Sequence, residues 1–476
     1  MPGLRKDVSL SALVVVVLLA SACAQATPAP TVAPTAVPPT EALTPSVPPS
    51  AVPTIAPTVA PTTAPAAAPT TAPSAAATVA PTTAALSGDV SWMVLADPEQ
   101  LKAFDAVAQA FEARYPGVKV NLSSAADNEG DYHAALGTAL AGGSPPDLVN
   151  LDYDATGQYA ETGALQSLDA RIAQSDLIHA TDFYTQAWRG FQFDKQQVCL
   201  PVNVSGLMVY FNKKLFDAAK VAYPKAGWTW DEFLADAQAL TKGADQFGVA
   251  IEPEFNNLLP FIWQNGGELL AADGKQLALD AAASLAAVQF FVDLQAKFHA
   301  APDQAAMTSQ EPPDRFISGA LGLLVDSRAA VPTLRTITDF DWDVAPLPRK
   351  TQAANILKAD GLCLPAKAAH PDLAWKLMEF AASAEGQTLL AGAGRVVPSN
   401  IAISKSPAFL NPSAKPANSQ VWLDEIANIR SVPALAHWPD IEETANEELA
   451  NAFFGHATAS QAVQAMIDKT RRFLAP

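Results

Sequence analysis

VSWMVLADPEQLKAFDAVAQAFEARYPGVKVNL, Val90 to Leu122, is the stretch that decides the fold. Val90 to Leu95 reads as a strand, and the spacing of Leu101, Phe104, Val107, Ala108 and Phe111 then predicts a helix from Pro98 to Tyr115. Pro116-Gly117 stops it, and Val118 to Leu122 alternates as a second strand. A helix around Tyr132 to Ala141 and a strand from Asp147 to Leu151 follow. Strand, helix, strand, helix, strand is an open α/β pattern. In such sheets ligands sit beyond the carboxyl ends of the strands, which puts Ala96, Asp97, Asp152, Tyr153 and Asp154 at the mouth of a site.

Upstream, Arg5 and Lys6 precede an apolar run from Ser9 to Ala20 that is too short to span a bilayer. Leu18 to Cys23, Leu-Leu-Ala-Ser-Ala-Cys, resembles a bacterial lipobox, although Ala20 stands where its strongest form has leucine. Residues 1–22 are therefore expected to be a lipoprotein signal peptide and Cys23 the site of lipidation, which anchors the protein to the outer face of the cell membrane. The alternative is a plain secretory signal whose cleavage site contains a cysteine. Residues 23–87 read as a disordered tether of Ala, Pro, Thr, Val and Ser. Ala-Pro-Thr recurs at Ala56, Ala60, Ala68 and Ala80, with too little apolar surface to offset chain entropy. At roughly 3 Å per residue such a stalk reaches on the order of 200 Å.

The remaining stretch, about 390 residues from Gly88 to Pro476, is too long for one ordinary core and suggests two lobes. A net charge of -18 and the lack of a basic cluster argue against nucleic acid. Cys199 and Cys363 lie in matching contexts, Val-Cys-Leu-Pro and Leu-Cys-Leu-Pro, that read as neighbouring buried strands. In an oxidising compartment they are a disulfide candidate. No histidine lies near either, so no metal site is expected.

Phe111 to Val120 and Ala141 to Val149 resemble the opening of the family 1 extracellular solute-binding proteins of ABC importers. The likeness continues in order through Leu200-Pro201, Val209 to Phe216, Trp228 to Phe233, Asn265-Gly266-Gly267, Phe316 to Gly319 and Ala374 to Phe380. Some of this has a structural cause of its own: Thr229 and Glu232 form a capping-box pattern that turns Trp230 and Phe233 inward.

The resemblance implies an α/β, two-lobed periplasmic-binding-protein-like fold of type II, each lobe a mixed sheet flanked by helices, with hinge crossings between them. Lobe 1 is expected over 88–202 and 361–400, and lobe 2 over 203–360 and 401–476. It implies a monomer that closes on a small-molecule solute, most readily a sugar or oligosaccharide, and delivers it to an ABC permease, with no cofactor and no covalent chemistry. The strands at Cys199 and Cys363 would be adjacent hinge crossings stapled by their disulfide.

Sugar sites combine aromatic faces with carboxylates and amides that accept hydroxyl hydrogen bonds. Likeness to maltodextrin-type members carries Tyr153 and Asp154 onto a sugar-binding loop and Trp438 onto a late stacking tryptophan. Glu252-Pro253-Glu254-Phe255 resembles their Glu-Pro-aromatic loop, with Glu254 where an aromatic is expected. Asp326 and Arg328 occupy a stretch where relatives present a tryptophan, and Ser205 replaces an acidic residue. Arg328 suggests an anionic sugar, or else a salt bridge to a nearby carboxylate. Trp92, Asp97, Asn203 and Trp263 complete the expected ligand-binding set, with Trp342 and Trp375 as weaker aromatic candidates.

A sensor-coupled binding protein is an alternative with the same binding chemistry. A carbohydrate-active hydrolase is the rival from another class, but the six histidines are scattered singly and no Gly-x-Ser-x-Gly elbow stands out.

Overall fold

Asp97 ends the first strand and starts the first helix. Its carboxylate accepts hydrogen bonds from the amides of Glu99 and Gln100, and Pro98 occupies the first helical position, where no amide donor is needed. The computed structural model describes residues 86–124 and 129–474. The signal segment, Cys23 and the tether up to residue 85 lie outside the described residues, which all belong to the unit Ala80–Pro476.

The strands that matter are β1 (Ser87–Val94), β2 (Gly117–Ser124), β3 (Leu148–Asp152), β4 (Cys199–Pro201), β5 (Met208–Asn212), β6 (Phe247–Ala250), β7 (Leu321–Asp326), β8 (Trp342–Pro346) and β9 (Asp360–Cys363). The helices used below are α1 (Pro98–Arg114), α2 (Glu129–Ala141), α3 (Trp230–Leu240), α4 (Phe255–Gln264), α5 (Pro371–Ala382) and α6 (Trp438–Phe453). None of the described helices is long and apolar enough to cross a membrane. β1 begins three residues before the apolar run because Ser87, Gly88 and Asp89 pair with Gly117 to Lys119. Those polar residues carry no hydrophobic signal, and it is the ladder that defines them as strand.

One sheet has the order β2-β1-β3-β9-β4, with β1 parallel to β2 and β3 and with β9 antiparallel to both its neighbours. The other has the order β8-β5-β7-β6, in which only β6 and β7 are parallel. The chain passes from the first sheet to the second between β4 and β5, and returns between β8 and β9. These crossings run side by side: Ser205 and Lys358 exchange two backbone hydrogen bonds of 2.8 Å, and the amide of Val202 donates to Asp360 at 2.9 Å.

Next to the crossings, Cys199 and Cys363 face each other in the β4/β9 ladder and are joined by a disulfide with S–S 1.96 Å. On the first sheet, α1 buries Phe104, Val107, Ala108 and Phe111 while α5 adds Leu373, Leu377, Met378 and Phe380. On the second, α3 begins with the Thr229–Glu232 capping box, and Trp230 and Phe233 turn into the core. α3 lies so close to β6 that a Cβ on Gly248 would sit 1.6 Å from the Ala237 carbonyl oxygen, so only glycine fits there.

Candidate functional site

A cavity of about 440 Å³ opens between the carboxyl end of β3 in the first sheet, the returning crossing and the helices α4 and α6. Asp152, Tyr153 and Asp154 enter it from the carboxyl end of β3, where an open α/β sheet presents its ligands. Glu254 and Asn256 come from the start of α4, Lys358 and Ala359 from the returning crossing, and Glu442, Glu443 and Asn446 from α6. A smaller chamber of about 160 Å³ shares Asp152, Lys358 and Ala359 with it and adds Asn203, Ser205, Asp360 and Arg395.

The crossings set this geometry. The Tyr153 amide donates to the Ala359 carbonyl at 3.1 Å, and Asn203 and Asp360 bind each other twice, at 2.5 and 2.8 Å. Lys358 is thereby held on the shared wall. Burial works against its ammonium, yet Asp154, Glu442, Glu254 and Asp152 outweigh that and raise its pKa. The Asn256 amide nitrogen donates to Asp154 at 3.2 Å and to Glu442 at 2.5 Å, so one side chain of the second sheet's region straddles carboxylates from both sides of the cavity. Burial holds the Tyr153 hydroxyl well above its usual range, and it accepts from the Val432 amide at 3.4 Å. Half-buried Asp326 is pushed up to about 6, chiefly by burial.

Glu252 lies beside this cluster rather than in the cavity wall. The protein enclosing it, and after that the Glu254 and Asp326 charges, push its carboxyl up to about 7. Its surface is still exposed, which moderates the effect through screening. A native pKa above the ordinary carboxylate value means that the stability it lends is present at low pH and is lost as pH rises through about 7. Glu252→Gln is therefore expected to raise the melting temperature more at about pH 8 than at about pH 4. Melting curves at the two pH values check this, and an equal shift at both contradicts it.

The structure gathers Tyr153, Asp154, Asn203, Ser205 and Glu254 around the two chambers, and it moves several other candidates elsewhere. Trp92 is 0 % exposed and edge-on to Phe104 at 5.2 Å, within the core between the first sheet and α1. Trp263 is buried in α4, which is buried along its whole length, under the Arg430 guanidinium at 5.2 Å. Trp342 and Trp375 are also core residues.

Arg328 corrects both of its readings. It is 2 % exposed and lies 4.4 Å from the Trp422 ring and 4.7 Å from Phe409, donating to the Gly394 carbonyl and the Ser419 hydroxyl. It faces aromatic rings rather than a solute or a partner carboxylate. Asp97 is occupied as the cap of α1 and in an ion pair with Arg395. Trp438, 0 % exposed, lies beneath the cavity wall, stacked on Phe255 at 6.2 Å, with its indole nitrogen donating to Glu442 at 3.2 Å.

Lys358, Asn256, Glu442, Glu443 and Asn446 escaped the sequence reading. Glu442 had a signal, because it falls four residues after Trp438 on the same helix face. Lys358 had none, since its place depends on pairing with Ser205 across 153 residues.

Residues 96–388, more than half of the chain, match the family model of the bacterial extracellular solute-binding proteins. The diacetylchitobiose binding protein DasA of Streptomyces coelicolor is 25 % identical over 352 residues, covering 71 % of this chain and 78 % of that protein. The maltotriose-binding protein of Pyrococcus abyssi is 24 % identical over 251 residues, covering 53 % of this chain and 51 % of that one. Among solved structures, an ABC substrate-binding protein of Listeria monocytogenes in complex with cycloalternan superposes with a TM-score of 0.76 at 25 % identity, over 81 % of this chain and 98 % of that one. The GacH receptor of Streptomyces glaucescens, solved unliganded and with acarbose, superposes with a TM-score of 0.73 at 21 % identity, over 82 % and 99 %. That likeness speaks for the two-lobed fold alone. With its two sheets and paired crossings, the chain belongs to the bacterial extracellular solute-binding protein family.

Proposed function

We propose that this protein captures a sugar or oligosaccharide in this cavity and presents it to an ABC permease. The observation that carries the reading is the cavity wall: carboxylates and amides from both sheets' regions converge on it, and these are the groups that accept and donate to hydroxyls. A solute held from both sides binds the closed arrangement better than the open one, so capture and closure are a single equilibrium. The names of DasA, the maltotriose-binding protein and the cycloalternan complex support a saccharide as the cargo.

In this reading the protein binds without turning its solute over, and works as a monomer. Its lobes comprise 88–202 with 361–400, and 203–360 with 401–476. Lipid on Cys23 holds it at the outer face of the membrane, so that cargo is released near its permease. Metabolic labelling with a fatty acid checks the anchor: label that is lost in Cys23→Ser supports it, and label that survives the substitution contradicts it.

A thermal-shift screen against mono- and oligosaccharides tests the cargo. A ligand that binds only the native state at 100 times its Kd adds about 2.7 kcal/mol of stability. A saccharide that raises the melting temperature and is recovered unchanged supports the proposal. Stabilisation by amino acids or metal ions alone, or hydrolysis of the saccharide, contradicts it.

A further inference from the structure

The solute cavity has a strong charge imbalance. Asp152, Asp154, Glu254, Glu442 and Glu443 line it, and among the described lining residues Lys358 is the one cation. Saccharide hydroxyls need acceptors but do not need five carboxylates in about 440 Å³, where each pair of like charges raises the energy of the other. The imbalance is also not arranged for a metal: among the described residues no three histidine, cysteine or carboxylate side chains converge on a position that holds an ion. The negative charge is spread around a space of ligand size.

A second observation points the same way. Asn256 lines this cavity at 2 % exposure, and its side-chain amide nitrogen donates to Asp154 and Glu442. Its carbonyl oxygen is buried and accepts no hydrogen bond among the described residues. A buried acceptor without a donor is unfavourable, so this amide adds a further demand for a donor at the place where the acidic groups gather. The aromatic surface that would favour an uncharged pyranose is sparse, since Tyr153 is the one aromatic residue among those lining the cavity.

We propose that the solute taken by this cavity carries a protonated amine, which sits among Asp154, Glu254 and Glu442 opposite Lys358. The inference rests on the reading of this cavity as the solute site, and with a saccharide cargo it specifies an amino sugar with a free amine. An ammonium supplies three donors and neutralises part of the excess charge, whereas an acetylated amine supplies one donor and no charge.

Isothermal titration of the full chain at about pH 6.5, where an amine is protonated, decides the matter with four probes. These are the β-1,4-linked glucosamine disaccharide, its diacetylated form, cellobiose and spermidine. The expected result is that the free-amine disaccharide binds at least about tenfold more tightly than both neutral disaccharides, and that salt narrows the difference. Glu254→Gln and Glu442→Gln, assayed separately, are each expected to reduce that preference, so a folding defect in one leaves the other to report. Neutral disaccharides that bind as tightly as the free amine overturn the amine proposal and leave the saccharide reading standing. Binding of spermidine alone upholds the amine and overturns the saccharide. Failure of both amine probes to bind overturns the proposal whatever the neutral sugars do.

Discussion

Replacing Trp438 with alanine is expected to lower the unfolding free energy by about 3–5 kcal/mol, the loss typical of a buried tryptophan. The ring is fully buried at the start of α6 and stacks on Phe255 at the start of α4, so it joins the two helices that supply Glu442, Asn446, Glu254 and Asn256 to the cavity. Its indole nitrogen also donates to Glu442. Solute affinity is therefore expected to fall by about tenfold or more in the same variant, since a hydrogen bond to a charged group is worth about 1.5–3 kcal/mol. Trp438→Phe separates the two effects: it keeps most of the packing and loses the hydrogen bond. Urea unfolding and ligand titration of both variants check the account. A stability loss below about 1 kcal/mol for the alanine variant contradicts it, because that is no more than the loss of a single buried methylene costs.

Removing the Cys199–Cys363 disulfide is expected to cost up to about 5 kcal/mol. The bond closes a loop with a sequence separation of 164 residues, and the loss grows slowly with loop length. Solute affinity is expected to change little. The neighbouring strands stay in register through Leu362 and Leu200 and through the Ser205–Lys358 pair, so the crossings keep their geometry while the chain is folded. Unfolding of Cys199→Ser/Cys363→Ser in urea, compared with the parent, reads the first part, and titration with a solute reads the second. A double variant as stable as the parent contradicts the stabilising role, and one that is stable but cannot bind shows that the bond sets the site.

The legible parts of this chain were those governed by local rules. The spacing of Leu101 to Phe111 marked α1, and its stop at Pro116-Gly117 follows from backbone chemistry alone. Thr229 and Glu232 announced a cap that needs only four residues to form. The matching surroundings of Cys199 and Cys363 carried more, because two short apolar strands in like contexts read as neighbours, and the ladder sets Cys199 opposite Cys363.

Burial was not legible where the cover comes from outside the local window. Trp92 is covered by Phe104 and α1, and Arg328 by Gly394, Ser419, Trp422 and Phe409. Nothing within several residues of either position states that cover. Lys358 illustrates the same limit for the site. A lone lysine reads as a solvated charge, and only the pairing of the two crossings places it against the carboxylates of β3 and α6.

In the proposed mode of capture, solute sits in the cavity and touches both of its sides. The most direct test is titration of the parent, Asp154→Asn and Glu442→Gln with a saccharide identified by thermal shift. Asp154 follows β3 in the first sheet, and Glu442 lies across the cavity on α6, which packs against α4. The expected result is one solute per chain and affinity reduced about tenfold or more by each substitution, the loss expected when one charged hydrogen-bond partner is removed. Parent-like binding in both variants, both still folded, would place the solute elsewhere and contradict it.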